Sequence, residues 1–231
     1  MESIAICITT RNRPEILDFS LNHWVKFLPP NGFIKVIDDA SDPPSFYSYY
    51  RFDTQQGIAK AKNKCLELAE GYDHVFLVDD DVYPKVHGWE KPYIESGLNH
   101  MALTFEKNSR GAYYSPSVRR EGAWNGYNTY KAPNGCFLYL TKEAIETAGG
   151  MRPEFGIWGF EHVEYSQRIH LLGLTPHPYI DLPNSLDLIH VCDYYNEVKS
   201  SIPANIKGQS GRENLRIWEN LGGKAEYVPY K

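Results

Sequence analysis

The stretch from Gly71 to Pro84, Gly-Tyr-Asp-His-Val-Phe-Leu-Val-Asp-Asp-Asp-Val-Tyr-Pro, constrains this chain more than any other. Four apolar residues in succession within His74–Val78 predict a strand buried on both faces. Asp79, Asp80 and Asp81 follow at once. Three adjacent carboxylates at the end of a buried strand repel one another and are costly to keep ionised. A divalent cation offsets that repulsion, because hard cations take carboxylate oxygens as ligands. The alternative is a solvated acidic turn closed by Pro84. In an open α/β sheet, ligands collect outside the carboxyl ends of the strands, which is where this triplet falls.

The preceding residues repeat the pattern of apolar run followed by polar loop. Ile4–Ile8 predicts a first buried strand, and Thr9-Thr10-Arg11-Asn12-Arg13-Pro14 is the loop at its carboxyl end. Arg11 and Arg13 stand where a phosphate can bind, or where a basic loop is simply solvated. Pro14 suits the first position of a helix carrying Leu17, Leu21, Trp24 and Leu28, stopped by Pro29-Pro30. Phe33–Ile37 predicts a second strand with Asp38-Asp39-Ala40-Ser41-Asp42 at its end. A carboxylate there is placed for the ribose or base of a nucleotide, with a cap or turn as the alternative. Two such units in succession predict a parallel sheet with right-handed crossovers. Tyr49–Phe52 reads as a short strand. Gly57 precedes a helix with an apolar stripe of Ile58, Ala61, Cys65 and Leu68. Lys62 and Asn63 lie near its start, close to the acidic strand end or on a solvated face.

Farther along, Trp89–Asn99 predicts a helix and Met101–Phe105 a strand. Lys107–Lys131 interleaves basic and aromatic residues, among them Arg119, Arg120 and Trp124, and suits an acceptor-binding loop or hairpin. Asn134-Gly135-Cys136 leads into the apolar Phe137–Leu140, with small residues that let backbone approach a ligand. Thr141 is placed to cap a helix over Lys142–Ala148, ended by Gly149-Gly150. Trp158-Gly159-Phe160 feeds a helix over Glu161–Leu172. On it His162, Tyr165, Ile169 and Leu172 share a face, and Glu164 can pair with Arg168. Pro178–Leu182 and Leu186–Ile189 predict short strands, with His190 after the second. Pro203–Gly211 reads as a loop and Glu213–Leu221 as a last helix.

The 231 residues suffice for one large core. A net charge of −5 gives no general pull toward nucleic acid or anionic membrane. The 17 tyrosines and 5 tryptophans supply flat faces with polar edges, suited to sugar rings or bases as well as to packing. Cys7, Cys65, Cys136 and Cys192 show no Cys-x-x-Cys pair and read as buried thiols rather than a disulfide frame. No apolar run reaches membrane-spanning length, and the N-terminus enters a strand with no leader, so a cytoplasmic protein is expected.

Three features stand in order: Asp38-Asp39-Ala40-Ser41, Asp79-Asp80-Asp81, and Trp158-Gly159-Phe160-Glu161-His162-Val163-Glu164. That order resembles the nucleotide-sugar glycosyltransferases of the GT-A fold, especially the large family 2 group, from about Ile4 to His190. The resemblance implies an α/β, Rossmann-like GT-A domain over residues 1–231. Its mostly parallel central sheet would be flanked by helices, with a small late-strand acceptor region. Residues 1–105 would form the nucleotide-sugar half and 106–231 the acceptor-binding and catalytic half. It further implies that Thr9, Arg11, Asp39, Lys62, Asn63, Asp79 and Asp80 contact the donor, probed first as a UDP-sugar. Asp79 and Asp81, with His190 as a further ligand, would hold Mn2+ or Mg2+. Arg119, Arg120, Trp124 and Trp158 would meet the acceptor, a saccharide or protein, with a modified DNA base as another option.

The departure is at the base. Inverting members of the family carry Glu-Asp at the helix start, whereas this chain has Glu161-His162. The Trp-Gly-x-Glu-x-x-Glu pattern also resembles the retaining polypeptide N-acetylgalactosaminyltransferases, which lack that Asp. Glu161 leads as the base of an inverting reaction, and His162 is the other candidate. At a helix N-terminus the dipole favours a neutral imidazole, while packing beside Tyr165 and Ile169 would make His162 a core residue. Two other readings stay open: a non-catalytic nucleotide- or sugar-binding module, and a nucleotidyltransferase. The latter usually has a Gly-rich phosphate loop, and Ile4–Pro14 has no glycine.

Overall fold

The seven residues of β1 (Ile4–Thr10) are all buried, because each of them faces packed side chains on one side of a sheet or the other. Ile4, Ile6 and Ile8 join one hydrophobic cluster and Ala5 and Cys7 the opposite one, as the two-residue period of a strand requires. The computed structural model describes residues 2–231. After β1 come α1 (Pro14–Lys26), β2 (Gly32–Asp38), β3 (Tyr50–Arg51), α2 (Ile58–Leu68), β4 (His74–Asp79), β5 (Val82–Pro84), α3 (Lys91–Ile94) and β6 (His100–Ala102). The second half adds β7 (Arg120–Trp124), β8 (Tyr127–Tyr130), β9 (Phe137–Thr141), α4 (Lys142–Ala148), α5 (Glu161–Leu171) and β10 (Ile180–Asp181). It ends with α6 (Ser185–Leu188), β11 (Ile189–Val191), α7 (Cys192–Tyr195) and α8 (Ala204–Leu221).

The main sheet has the order β3-β2-β1-β4-β9-β6. The pairs β3–β2, β2–β1 and β1–β4 are parallel, and β9 runs antiparallel to both β4 and β6. This is the mixed, mostly parallel sheet expected. The chain winds outward from β1 to β2 and β3, then returns to the other side of β1 with β4. Thr9 lies opposite Asp79, and Thr10 opposite Asp38. The acidic ends of β2 and β4 therefore align at one edge, at the point where the winding reverses. Smaller sheets, β10-β8-β7 and β11-β5, lie beyond.

Each face of the sheet buries a helical layer. Trp24 of α1 packs edge-on against Trp89, which meets Phe76 of β4 in the same way. On the other face Cys65 and Leu66 of α2 join Leu77, Leu138, Tyr165 and Ile169. All four cysteines are free and buried, as their scattered positions suggested. Glu164 pairs with Arg168 as the spacing indicated and also with Arg152, while Arg168 caps the carbonyls of Ala148 and Gly150. No helix of the described residues is long and apolar enough to cross a membrane.

Four stretches differ from the sequence reading. Trp89–Asn99 holds only the single turn α3, because Trp89 is committed to the core and Gly97 takes a positive φ of 66°. Val82–Pro84 is a strand, paired with β11, where an acidic turn was the alternative. Ser185–Leu188 is a helical turn rather than a strand, tied down by the Ser185 hydroxyl donating to buried Asp181. The stretch read as a loop over Pro203–Gly211 is the start of α8. Two interior glycines cost a helix about 1 kcal/mol each. Packing of Asn214 and Trp218 against the 155–167 region offsets that.

His100 of β6 joins the sheet to α5: its Nδ1 meets the Tyr139 carbonyl and its Nε2 the Ser166 hydroxyl. Burial pushes its imidazole down from 6.5 to about 4. The folded state thus binds fewer protons than the unfolded one across that window. The stabilisation is whole above pH 6.5 and is lost as the pH falls toward 4. The shift corresponds to about 3 kcal/mol. We expect urea unfolding of His100→Gln to depend less on pH between 4 and 6.5 than wild type does. Identical pH dependence of the two proteins would refute this origin.

Candidate active site

A cavity of about 670 Å³ opens at the carboxyl ends of β1 and β4. Its walls come from the loop after β1, the Asp79–Asp81 turn, the Lys131–Cys136 segment, the Ile157–Val163 segment and the start of α8. Three buried polar atoms on its lining residues have no partner among the described residues: Arg11 Nε, Asn134 Nδ2 and Glu161 Oε2. Buried polar groups are seldom left unpaired, so their convergence on one cavity points to a polar ligand.

The acidic side is neutralised from within the chain. Asp80 is fully buried, accepts from the Thr10 hydroxyl at 2.6 Å, and is gripped by the Arg13 guanidinium. Arg13 also reaches Asp81 Oδ2 at 2.8 Å. Burial raises the Asp80 carboxyl, and Arg13 is what opposes it. Asp79 is partly exposed, and its Oδ1 lies 3.1 Å from Lys62 Nζ. Lys62, 1% exposed, also donates to the Gly135 carbonyl at 2.7 Å. Burial works against its ammonium, but Asp79 and Glu161 outweigh burial and keep the amine protonated. The protein bonds to Asp79 and Asp81 use one oxygen of each, leaving Asp79 Oδ2 and Asp81 Oδ1 without a protein partner among the described residues. Two hard carboxylate oxygens beside the cavity fit Mg2+ or Mn2+, which complete their shells with water and phosphate oxygens.

Across the cavity stands the start of α5. Glu161 is 4% exposed, and its Oε1 bonds His162 Nδ1 at 2.8 Å. Burial raises its carboxyl, but His162 and Lys62 pull harder, and the net lies below the ordinary range. His162 is half-buried and lines the cavity, so it is not a core residue beside Tyr165 and Ile169. A side chain on Gly135 would come within 2.5 Å of its ring, so the glycine makes room for His162 rather than for a ligand. Phe160 enters the helix with φ at 72°, a conformation that costs a non-glycine residue about 1 kcal/mol. The amide of Asn214 on α8 holds this turn, donating to the carbonyls of Phe155, Trp158 and Gly159 at 2.7, 2.9 and 2.8 Å.

The remaining expected residues divide. Thr9, Arg11 and Trp158 line the cavity. Asp39 does too, though its oxygens already accept from the N–H groups of Gln56 and Gly57 at 2.6 and 3.0 Å, which fixes the start of α2. Asp80 lies at the wall, and its oxygens are occupied by Thr10 and Arg13. Asn63 points elsewhere: its amide closes a two-way bond with the Met151 backbone. His190 is not at the cavity. It is stacked between Tyr83 and Tyr195 and bonds Glu197 at 2.7 Å, because pairing of β11 with β5 puts it on the face of Tyr83. Arg119, Arg120 and Trp124 also lie outside it. Arg119 sits over the Tyr113 ring and donates to the Ser115 and Val118 carbonyls, and Arg120 and Trp124 belong to the exposed strand β7. Asp193, Lys207 and Trp218 line the cavity without having been singled out, and Tyr114 does so from the Lys107–Lys131 stretch expected to meet the acceptor. Asp193 sits on a four-residue helix with no periodic signal, Lys207 in the stretch read as a loop, and Trp218 on the expected last helix.

No family model matches the chain. A curated relative, an uncharacterised glycosyltransferase of Acanthamoeba polyphaga mimivirus, is 31% identical over 161 residues, covering 65% of this chain and 59% of that protein. Among solved structures, the mannosyltransferase PcManGT of Pyrobaculum calidifontis, in complex with GDP-Man and Mn2+, aligns with a TM-score of 0.56 at 16% identity. That alignment covers 74% of this chain and 53% of the other. GalNAc-T7, with UDP, GalNAc and Mn2+, aligns at 0.61 and 14% identity over 87% of this chain and 46% of the other. The chain thus spans only about half to three-fifths of the length of these proteins. The sheet order and these alignments show the GT-A fold.

Removing one partner of a buried ion pair costs about 3–5 kcal/mol, because the other charge is left uncompensated. Arg13→Met should therefore lower stability by about 3 kcal/mol in urea unfolding. Most of the loss should return in the double variant with Asp80→Asn. Additive losses would show that the Arg13–Asp80 pair is not what holds the turn.

Proposed function

We propose that this GT-A chain is a metal-dependent glycosyltransferase, moving a sugar from a nucleoside-diphosphate sugar to an acceptor hydroxyl. UDP is the first nucleotide to test and a saccharide the first acceptor. The observation that carries the reading is a single cavity with Asp79 and Asp81 on one wall and the Glu161–His162 pair on another. The relatives support it by their described ligands, nucleotide sugars and Mn2+.

Asp79 and Asp81 would hold Mn2+ or Mg2+, which when bound supplies a Lewis acid for the charge that develops on a leaving diphosphate. The other roles belong to the chain. Lys62 orients Asp79, and Arg13 keeps Asp81 aimed by bonding one of its oxygens. Thr9 and Asp39 lie on the wall where the nucleoside would rest. Trp158, Tyr114 and Trp218 offer aromatic faces that suit sugar rings and exclude water. An inverting transfer needs a base for the acceptor proton. Glu161 and His162 act as one unit in this reading: the carboxylate fixes Nδ1, and the imidazole lines the cavity. The inverting route is favoured on that ground.

A panel of nucleotide sugars with and without Mn2+, read by donor hydrolysis and transfer, tests the activity. Absence of both with every donor would leave a non-catalytic binding module. In the active protein Asp81→Ala should abolish metal-dependent nucleotide binding while the fold persists, and unchanged binding would remove Asp81 from the metal site. Glu161→Gln and His162→Asn should each lower turnover by about two to four orders of magnitude, the usual worth of a positioned base, with donor affinity retained. Normal turnover in both would indicate a retaining route without an enzymic base at α5.

A further inference from the structure

Four cationic side chains around the carboxylate centre differ in how they are satisfied. Arg13 and Lys62 are each bound to aspartates of the β4 turn. Arg11 lines the cavity with its buried Nε unpartnered. Lys207, in the first turns of α8, makes no ion pair among the described residues. Its Nζ instead sits 5.0 Å from the centroid of the Trp158 ring. Ser200, Ser201 and Ile202, which lead into α8, line the same cavity.

An ammonium is a compact, strongly hydrated charge, and half-burying one without a carboxylate partner is unfavourable. Burial lowers the Lys207 amine, while Asp193, Asp81 and Asp79 support its charge and Arg13 opposes it. Lys207 lines the same cavity as Asp79 and Asp81 and is bonded to neither among the described residues. A group placed between Lys207 and that centre meets a cation on one side and Asp79 and Asp81 on the other. A polyanion bridged to the aspartates by a divalent ion satisfies both sides, whereas a neutral sugar satisfies neither.

We propose that Lys207 is the cationic arm that binds the diphosphate of the donor from the α8 side of the cavity, stacked on Trp158 until the nucleotide arrives. This rests on the nucleotide-sugar reading of the site. Its role is to neutralise the leaving diphosphate opposite the metal carboxylates, which makes it sensitive to phosphate charge and indifferent to the base.

The test compares binding of UDP and GDP with binding of uridine and guanosine by calorimetry in Mn2+. The proteins are wild type, Lys207→Met, which keeps an unbranched apolar stem over Trp158, and Lys207→Arg. Thermal melts confirm folding of each. Lys207→Met should weaken the bound nucleoside diphosphate about tenfold or more, the scale of one lost charge-assisted bond. The matching nucleoside should be unaffected, and Lys207→Arg should recover most of the loss. Equal weakening of diphosphate and nucleoside, or none of either, would overturn the proposal. Unchanged diphosphate affinity with a raised KM for acceptor would move Lys207 to the acceptor and overturn it as well. If wild type bound neither nucleoside diphosphate, the nucleotide-sugar reading itself would fall and this inference with it.

Discussion

The candidate site depends on keeping three consecutive carboxylates at the end of a buried strand. Burial and mutual repulsion both disfavour their charge. The structure resolves this by giving each aspartate a different environment. Asp80 is enclosed and gripped by Arg13, Asp81 shares the same guanidinium, and Asp79 is met by Lys62. By sequence alone, a bound metal ion was one way to offset that repulsion and a solvated acidic turn the other. The fold supplies two fixed cations first, and so keeps the aspartates ordered while leaving one oxygen each on Asp79 and Asp81 for a ligand.

From that centre the constraint spreads through Lys62. Its Nζ links Asp79 to the Gly135 carbonyl, and Gly135 is bare so that His162 can pack against it. His162 in turn bonds Glu161, whose charge helps to hold Lys62 protonated. The Asp79 and Glu161–His162 sides of the cavity are thus one electrostatic network, and a change on either side is felt on the other. Asn214 closes the arrangement from outside, clasping the strained turn before α5 with one amide. The long helix that carries Asn214 also carries Lys207, so the element that steadies the turn before α5 also borders the cavity.

The sequence reading was strongest where a single local signal sufficed. The buried runs of β1 and β4, the proline-started α1, and α4 capped by the Thr141 hydroxyl at the Ala144 N–H follow from apolar runs and cap chemistry. It failed where packing overrode propensity: α8 runs through two glycines, and Trp89 was drawn into the core instead of continuing a helix. The site divided in the same way. Asp79, Asp81, Lys62, Glu161 and His162, singled out because they are carboxylates and cations at element ends, line one cavity. Asn63 and His190 sat at equally suggestive positions and were directed elsewhere by their partners.

Sequence by itself determined the kind of sheet, the order of its acidic edges and the residue types available for chemistry, since hydrophobic period and the placement of charge at strand ends are local properties. Tertiary structure alone decided which of those residues meet. Strand register sets Thr9 opposite Asp79, and the pairing of β11 with β5 turns His190 onto Tyr83. Asp193 and Lys207 reach the cavity only because α7 and α8 fold back across it. Such meetings depend on side-chain direction and on contacts between residues 70 or more positions apart, and no local pattern in the chain encodes them.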